Sequence, residues 1–278
     1  MRAGTPENRS FGLSQVAALA LTAAAALGGG VAAAEQTGSE ADRPKTPANE
    51  DGRRTVRRLP ANLGRGIVGV FHRDTLMPLV IGGVATGGAR VLDEDMRNWI
   101  NPNPGRGWGK TLEAGGGPVW SSVFVAGVFG AGRVSTNARF RAASYDMLDA
   151  AVMNVVCFQS IKPMVRRRRP NGSNNQSFPS GHTSHAFAVA TVAERHYGWK
   201  IGVPAYLVAG VVGASRMKQD KHYFSDVVAG ATLGYIVGRT AVRVNSRPLA
   251  SGSARNASLD ISPILARKAR GLQVSLTF

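Results

Sequence analysis

Three short segments of this 278-residue chain hold residue types that could do chemistry together. The first runs Lys162-Pro-Met-Val-Arg-Arg-Arg-Arg169-Pro170, the second Pro179-Ser180-Gly181-His182, and the third holds Ser215-Arg216, His222 and Asp226. In the first, an ammonium and a fork-shaped guanidinium make a clamp for a phosphate dianion, and Pro170 stops any helix that carries them. Four consecutive arginines taken alone read first as a basic surface loop. In the second, Ser180 is a natural helix N-cap, and the amides after it point toward any anion. His182 falls in the first turn, where it could give a proton to a leaving oxygen. A serine nucleophile is the rival there, but no Gly-x-Ser-x-Gly turn surrounds Ser180. In the third, His222 and Asp226 stand four apart at a helix start and share one face. A carboxylate holding one ring nitrogen fixes the tautomer and frees the other nitrogen to attack. Without further context such a pair is more often a surface ion pair.

Helices must position these groups. Helical patterns are predicted at 75–90, 117–133, 143–162, 181–197, 201–216 and 222–242, separated by Gly, Pro, Asn or charged breaks. If they run up and down, Lys162 ends one, Ser180 begins the next, Arg216 ends the following one and His222 begins the last. The three segments then gather at one end of a bundle. Three cations, two histidines and a helix N-terminus suit an in-line phosphoryl transfer. Its equatorial oxygens would be held by Lys162, Arg169, Arg216 and the amides near Ser180 and Gly181.

In this order the segments resemble the Lys-x6-Arg-Pro, Pro-Ser-Gly-His and Ser-Arg-x5-His-x3-Asp signature of the type 2 phosphatidic acid phosphatase superfamily. That group takes in bacterial class A acid phosphatases, lipid phosphate phosphatases and vanadium haloperoxidases. Every signature position is matched, between Lys162 and Asp226. The resemblance implies an all-α fold, a single helical bundle of six or so core helices. It implies a phosphatase that forms a phosphohistidine on His222, with Asp226 as its orienter and His182 as general acid. It further implies phosphate contacts from Lys162, Arg169, Ser180, Gly181 and Arg216, with no metal and no other cofactor. Vanadate enters only under the haloperoxidase alternative, whose family members are generally much longer chains. The sequence departs from the signature in its extra arginines at 166–168, which receive no role. His185, one turn beyond His182, reads as a helix-face residue.

The bulk composition bounds the partners. Lys and Arg number 34 against 17 Asp and Glu, a formal charge of +17. That excess implies an anionic partner: a phosphorylated small molecule, a lipid phosphate or an anionic membrane surface. A non-enzymatic binder of anionic lipid or nucleic acid is the remaining alternative; for a phosphatase no nucleic acid is expected. A single cysteine, Cys157, excludes an internal disulfide. The sequence carries no signal for oligomeric state.

Arg2 and Arg9 precede an apolar run from Val16 to Leu27, and Ala32-Ala33-Ala34 fits a cleavage site before Glu35. Residues 1–34 therefore read as a signal peptide, and the product as exported to the periplasm. Residues 35–60 read as a polar, then basic, linker, 61–247 as the phosphatase domain and 248–278 as a tail. In that tail Leu272, Val274, Leu276 and Phe278 alternate with polar residues, which predicts a C-terminal β-hairpin with 258–265. A membrane-spanning helix needs about 20 predominantly apolar residues. The longest uncharged run after the signal segment, 114–132, is diluted by Gly115, Gly116, Gly117 and Pro118, and the mean hydropathy is −0.08. The expectation is a soluble or membrane-associated bundle, with integral membrane as the alternative. The substrate expectation tilts correspondingly toward soluble or interfacial phosphates.

Overall fold

The computed structural model describes residues 52–102 and 118–247, together with the backbone of 258–266 and 269–277. The signal segment and most of the expected linker lie outside the described residues. The chain divides into two compact units, Met1–Ser246 and Arg247–Phe278.

The first unit is helical throughout its described part, as the sequence predicts. Its helices are α1 (Leu59–Gly69), α2 (Arg73–Val91), α3 (Asp93–Ile100), α4 (Pro118–Val134), α5 (Ala138–Val165), α6 (Gly181–Tyr197), α7 (Trp199–Lys218) and α8 (Phe224–Ser246). A 3-10 turn, Val56–Arg58, leads into α1. Local chemistry sets several of the boundaries. Asn137 caps α5 by accepting from the Phe140 amide at 3.0 Å. Gly198, at φ 80°, ends α6 and releases the chain straight into α7. Asp93, Glu94 and Asp95 fill the first turn of α3, where negative charge suits the helix dipole.

The core lies among α5, α6 and α8, around Met147, Met153, Ala188, Val192, Val237 and Ala241. The α6–α8 pair is the tightest seam, and glycine makes it so. Gly230, Gly234 and Gly238 recur every fourth residue along one face of α8. A Cβ on Gly230 or Gly238 would fall 2.6 Å from the carbonyl oxygen of Ser180 or Ala188, and one on Gly234 would overlap the Ser184 carbonyl. Backbone therefore lies against backbone, and the N-terminal ends of α6 and α8 are drawn together.

The described end of the expected linker is tied to the bundle. Arg54 forks onto Asp146 of α5 at 3.0 and 2.9 Å, and Asp146 also receives His196 at 2.8 Å and Asn245 at 2.9 Å. A buried carboxylate needs such partners, and this one recruits the last residues of the expected linker to supply them.

In the second unit the backbone of Ser258–Ala266 runs antiparallel to Ala269–Thr277. Its side chains lie outside the described residues, so the predicted hairpin is not supported and the fold assignment rests on the helical unit. Among the described residues one helix, Phe224–Ser246, is long and apolar enough to cross a membrane, although 56% of its apolar window is buried inside the bundle. The bent pair Val56–Gly69 and Arg73–Val91 passes the same test only when taken together.

Candidate active site

The site is assembled from helix ends. Lys162 lies in the last full turns of α5 and is buried; its Nζ donates to the Gln176 carbonyl at 3.2 Å and stands 5.5 Å from the centre of the Phe158 ring. The helix stops at Arg166, whose left-handed backbone (φ 49°) turns the chain into the loop toward α6. Backbone bonds fold that loop onto its neighbours. The Ser177 amide donates to the Arg167 carbonyl at 2.9 Å, that of Arg169 to Asn174 at 3.0 Å, and that of Asn171 to Asp220 at 3.0 Å. Arg169 is thereby carried back over the bundle end. Arg216 approaches from the last turn of α7 and is also buried.

Ser180 occupies the N-cap position of α6, but its hydroxyl meets Thr183 Oγ1 at 2.9 Å and makes no bond to the helix amides. Its own amide donates to the Asp226 carbonyl at 3.0 Å, which stitches the start of α6 to the start of α8. A Cβ on Gly181 would fall 3.1 Å from the Phe158 ring, so the glycine lets α6 begin close against α5.

His222 lies just ahead of α8 and is 3% exposed. Its Nδ1 is 2.6 Å from the Ser177 carbonyl oxygen. A carbonyl only accepts, so Nδ1 bears the hydrogen and Nε2 bears the lone pair. The expected direct hold by Asp226 is replaced here: its Oδ2 stands 3.9 Å from His222 Nδ1. The carboxylate is occupied by Ser177 Oγ at 2.5 Å, the Tyr223 amide at 2.9 Å and Arg167 Nη1 at 2.7 Å. Ser177 thus touches both members of the pair, with its carbonyl on His222 and its hydroxyl on Asp226.

Electrostatics separate the groups. Burial, then the nearby Arg169, hold the His222 imidazole well below the ordinary histidine range; the Ser177 bond opposes them, and Lys162 and Arg216 add to them. Burial, followed by Arg216 and Lys162, brings His182 down to about 4. Burial and then Arg169 lower the Lys162 ammonium to about 8. Burial raises the Asp226 carboxyl, against the Ser177 hydroxyl and the Arg167 guanidinium. Lys162, Arg169 and Arg216 thus act electrostatically on both His182 and His222, with Ser180 and Gly181 just ahead of His182 and Asp226 beside His222. Such a cluster can bind a tetrahedral dianion, offer a neutral imidazole to its phosphorus and hold a second imidazole for proton transfer. Among the described residues no group of three His, Cys, Asp or Glu is arranged to hold a metal ion. Four residues around His222 were missed in the sequence: Ser177, Arg167, Ser225 and the distant Asp93.

Residues 147–248 match the family model of the PAP2 superfamily. It resembles the lipid A 1-phosphatase of Porphyromonas gingivalis, with 44% identity over 75 residues, 26% of this chain and 17% of that protein. The chain thus covers less than a fifth of that relative's length. Among solved structures, a transmembrane PAP2 type phosphatidylglycerolphosphate phosphatase from Bacillus subtilis superposes with a TM-score of 0.46 at 20% identity, covering 63% of this chain and 93% of that one. The LpxE of Aquifex aeolicus gives 0.38 at 23% identity over 55% and 95% of the two chains.

Proposed function

We propose that this chain is a membrane-associated phosphatase that removes phosphate from a lipid phosphomonoester through a phosphohistidine on His222. The observation that carries the reading is the His222 imidazole: buried, held neutral, pinned at Nδ1 by Ser177, and surrounded by Lys162, Arg169 and Arg216. Nε2 attacks phosphorus as the bond to the leaving oxygen breaks, and the His182 imidazolium gives that oxygen its proton. Neutral His182 then takes a proton from water, which attacks phosphorus as the P–N bond breaks and orthophosphate leaves. Lys162, Arg169, Arg216 and the first amides of α6 stabilise the equatorial oxygens, so the chemistry asks for no metal. Asp226, acting through Ser177, steadies the imidazole as it becomes cationic.

The lipid class of substrate is supported by the outer surface. Val203, Leu207 and Val211 form an exposed apolar stripe on α7, and Leu76, Val80 and Val84 form another on α2. Apolar stripes of that length are unusual on a monomer surrounded by water and suit contact with acyl chains. The relative from Porphyromonas gingivalis bears the name of a lipid A phosphatase, in keeping with such a substrate.

The test is phosphate release and phosphoenzyme trapping on the purified protein, with a lipid phosphate and a soluble ester side by side. Alkaline quenching is expected to trap an acid-labile, alkali-stable phosphoprotein in the wild type and none in His222→Ala, whose turnover is abolished. Retained turnover in folded His222→Ala refutes the nucleophile. Preference for the soluble ester at equal phosphate concentration refutes the lipid assignment alone.

A further inference from the structure

Arg167 belongs to the arginine run for which neither the signature nor the phosphate clamp supplies a task. Its side chain reaches into the turn that follows His222. Nη1 donates to Asp226 Oδ1 and to Ser225 Oγ, each at 2.7 Å, and Nη2 donates to Asp93 Oδ2 at 2.6 Å. The guanidinium carbon lies 4.1 Å from the centre of the Tyr223 ring. Asp93 completes the circuit by accepting from the Ser225 amide and hydroxyl, each at 2.8 Å. Tyr223, Ser225 and Asp226 follow His222 in sequence, so one guanidinium grips the whole turn after the imidazole. The backbone of Arg167 works on the other side. Its carbonyl accepts from the Ser177 amide at 2.9 Å, and the carbonyl of Ser177 in turn receives His222 Nδ1.

We propose that Arg167 is the positioning residue of this site, holding Asp226 and Ser177 as one unit against His222 and thereby aiming Nε2 at phosphorus. The inference rests on the phosphatase reading above and adds a residue to it. A fork is required because the two carboxylates lie on different elements, Asp93 on α3 and Asp226 on α8; a lysine supplies charge at one point only. A buried ion pair is by itself poor evidence of stabilisation, so a purely structural purpose is a weak reason for this arrangement. As Nε2 bonds to phosphorus, the imidazole becomes cationic, and its Nδ1–H is received by an acceptor whose position Arg167 sets from both ends. The groups facing the Asp226 carboxylate are Arg167, Ser177, Tyr223 and His222, with Lys162 and Arg169 nearby and Asp93 across the guanidinium. Of these cations only Arg167 bonds to it directly. Without that bond the carboxylate takes up a proton at a higher pH, and Asp226 ceases to support the cationic imidazole.

The experiment is steady-state kinetics on the full chain in detergent, with p-nitrophenyl phosphate, for wild type, Arg167→Gln, Arg167→Lys, Asp93→Asn and the Arg167→Gln/Asp93→Asn double variant. Arg167→Gln is expected to lower kcat about 10- to 100-fold with KM within about twofold. Its acid limb of kcat is expected to move up by about one pH unit, because activity is lost as pH falls through a raised carboxylate pKa. Arg167→Lys restores the limb but not the full kcat. The double variant loses little more than Arg167→Gln, since the two residues act through one bridge. If Arg167→Gln does not fold, the Arg167→Lys and Asp93→Asn profiles decide by the same criteria. An active wild type whose variants keep its pH profile and differ only in amplitude, or whose losses add, overturns the inference and leaves the phosphatase reading standing. A wild type inert on lipid and soluble phosphomonoesters alike overturns that reading first.

Discussion

His182 and His222 feel the same cations, yet the proposed phosphoryl transfer asks opposite protonation states of them. Burial and Arg169 favour a neutral His222, as the proposed nucleophile must be. Burial, then Arg216 and Lys162, bring His182 down to about 4, which would leave it mostly unprotonated near neutrality. A bound phosphate dianion reverses that balance, because an adjacent negative charge favours the imidazolium. The proton is lost as pH rises, so the rate falls on the alkaline side. That fall is expected at lower pH in kcat/KM, which reports the free protein, than in kcat, which reports the complex. Limbs coinciding in both profiles, or surviving unchanged in His182→Gln, would remove His182 as the acid. The charged and imidazole members of this cluster were legible in the sequence because their types and spacing are themselves the signal. Ser177 was not, since the contact it makes with His222 uses a carbonyl that every residue possesses. Arg167 was hidden among three identical neighbours, and Asp93 lies far away in sequence, joined to the site only by folding.

At the scale of elements, the periodicity located the six long helices within a few residues, and α6 at its observed limits. The two short ones escaped: α1 contains Pro60, Gly64 and Gly66, and α3 is eight residues, half of them charged. Both lack the long uninterrupted apolar period by which a helix announces itself. The glycine seam between α6 and α8 went unread as well, because glycine carries no hydropathy to count. Its energetic role is open to test. Gly234→Ala drives a methyl into the Ser184 carbonyl and is expected to lower unfolding stability by about 1–3 kcal/mol. Gly210→Ala on α7 meets nothing within 4 Å and should be neutral or stabilising by up to about 1 kcal/mol. Chemical denaturation of the two variants compares them directly; equal stabilities would mean that the helices yield freely and the seam does not set their distance.

For the whole molecule, the expectation was a soluble or membrane-associated bundle, and the outward stripes on α2 and α7 are what support the proposed contact with lipid. A sequence average does not register such stripes, because it sums all faces of a helix together. Wild-type protein is accordingly expected to stay with membranes through an alkaline carbonate wash. Val203→Ser/Leu207→Ser/Val211→Ser should be released more readily while keeping its rate on a soluble ester. Release of the wild type by the wash would remove the lipid-facing assignment. An enzyme held by those stripes within the layer that contains its substrate works in two dimensions. The concentration it senses is then the mole fraction of lipid phosphate in the leaflet. Neutral carrier lipid slows it at constant bulk concentration, and stirring the solution changes nothing.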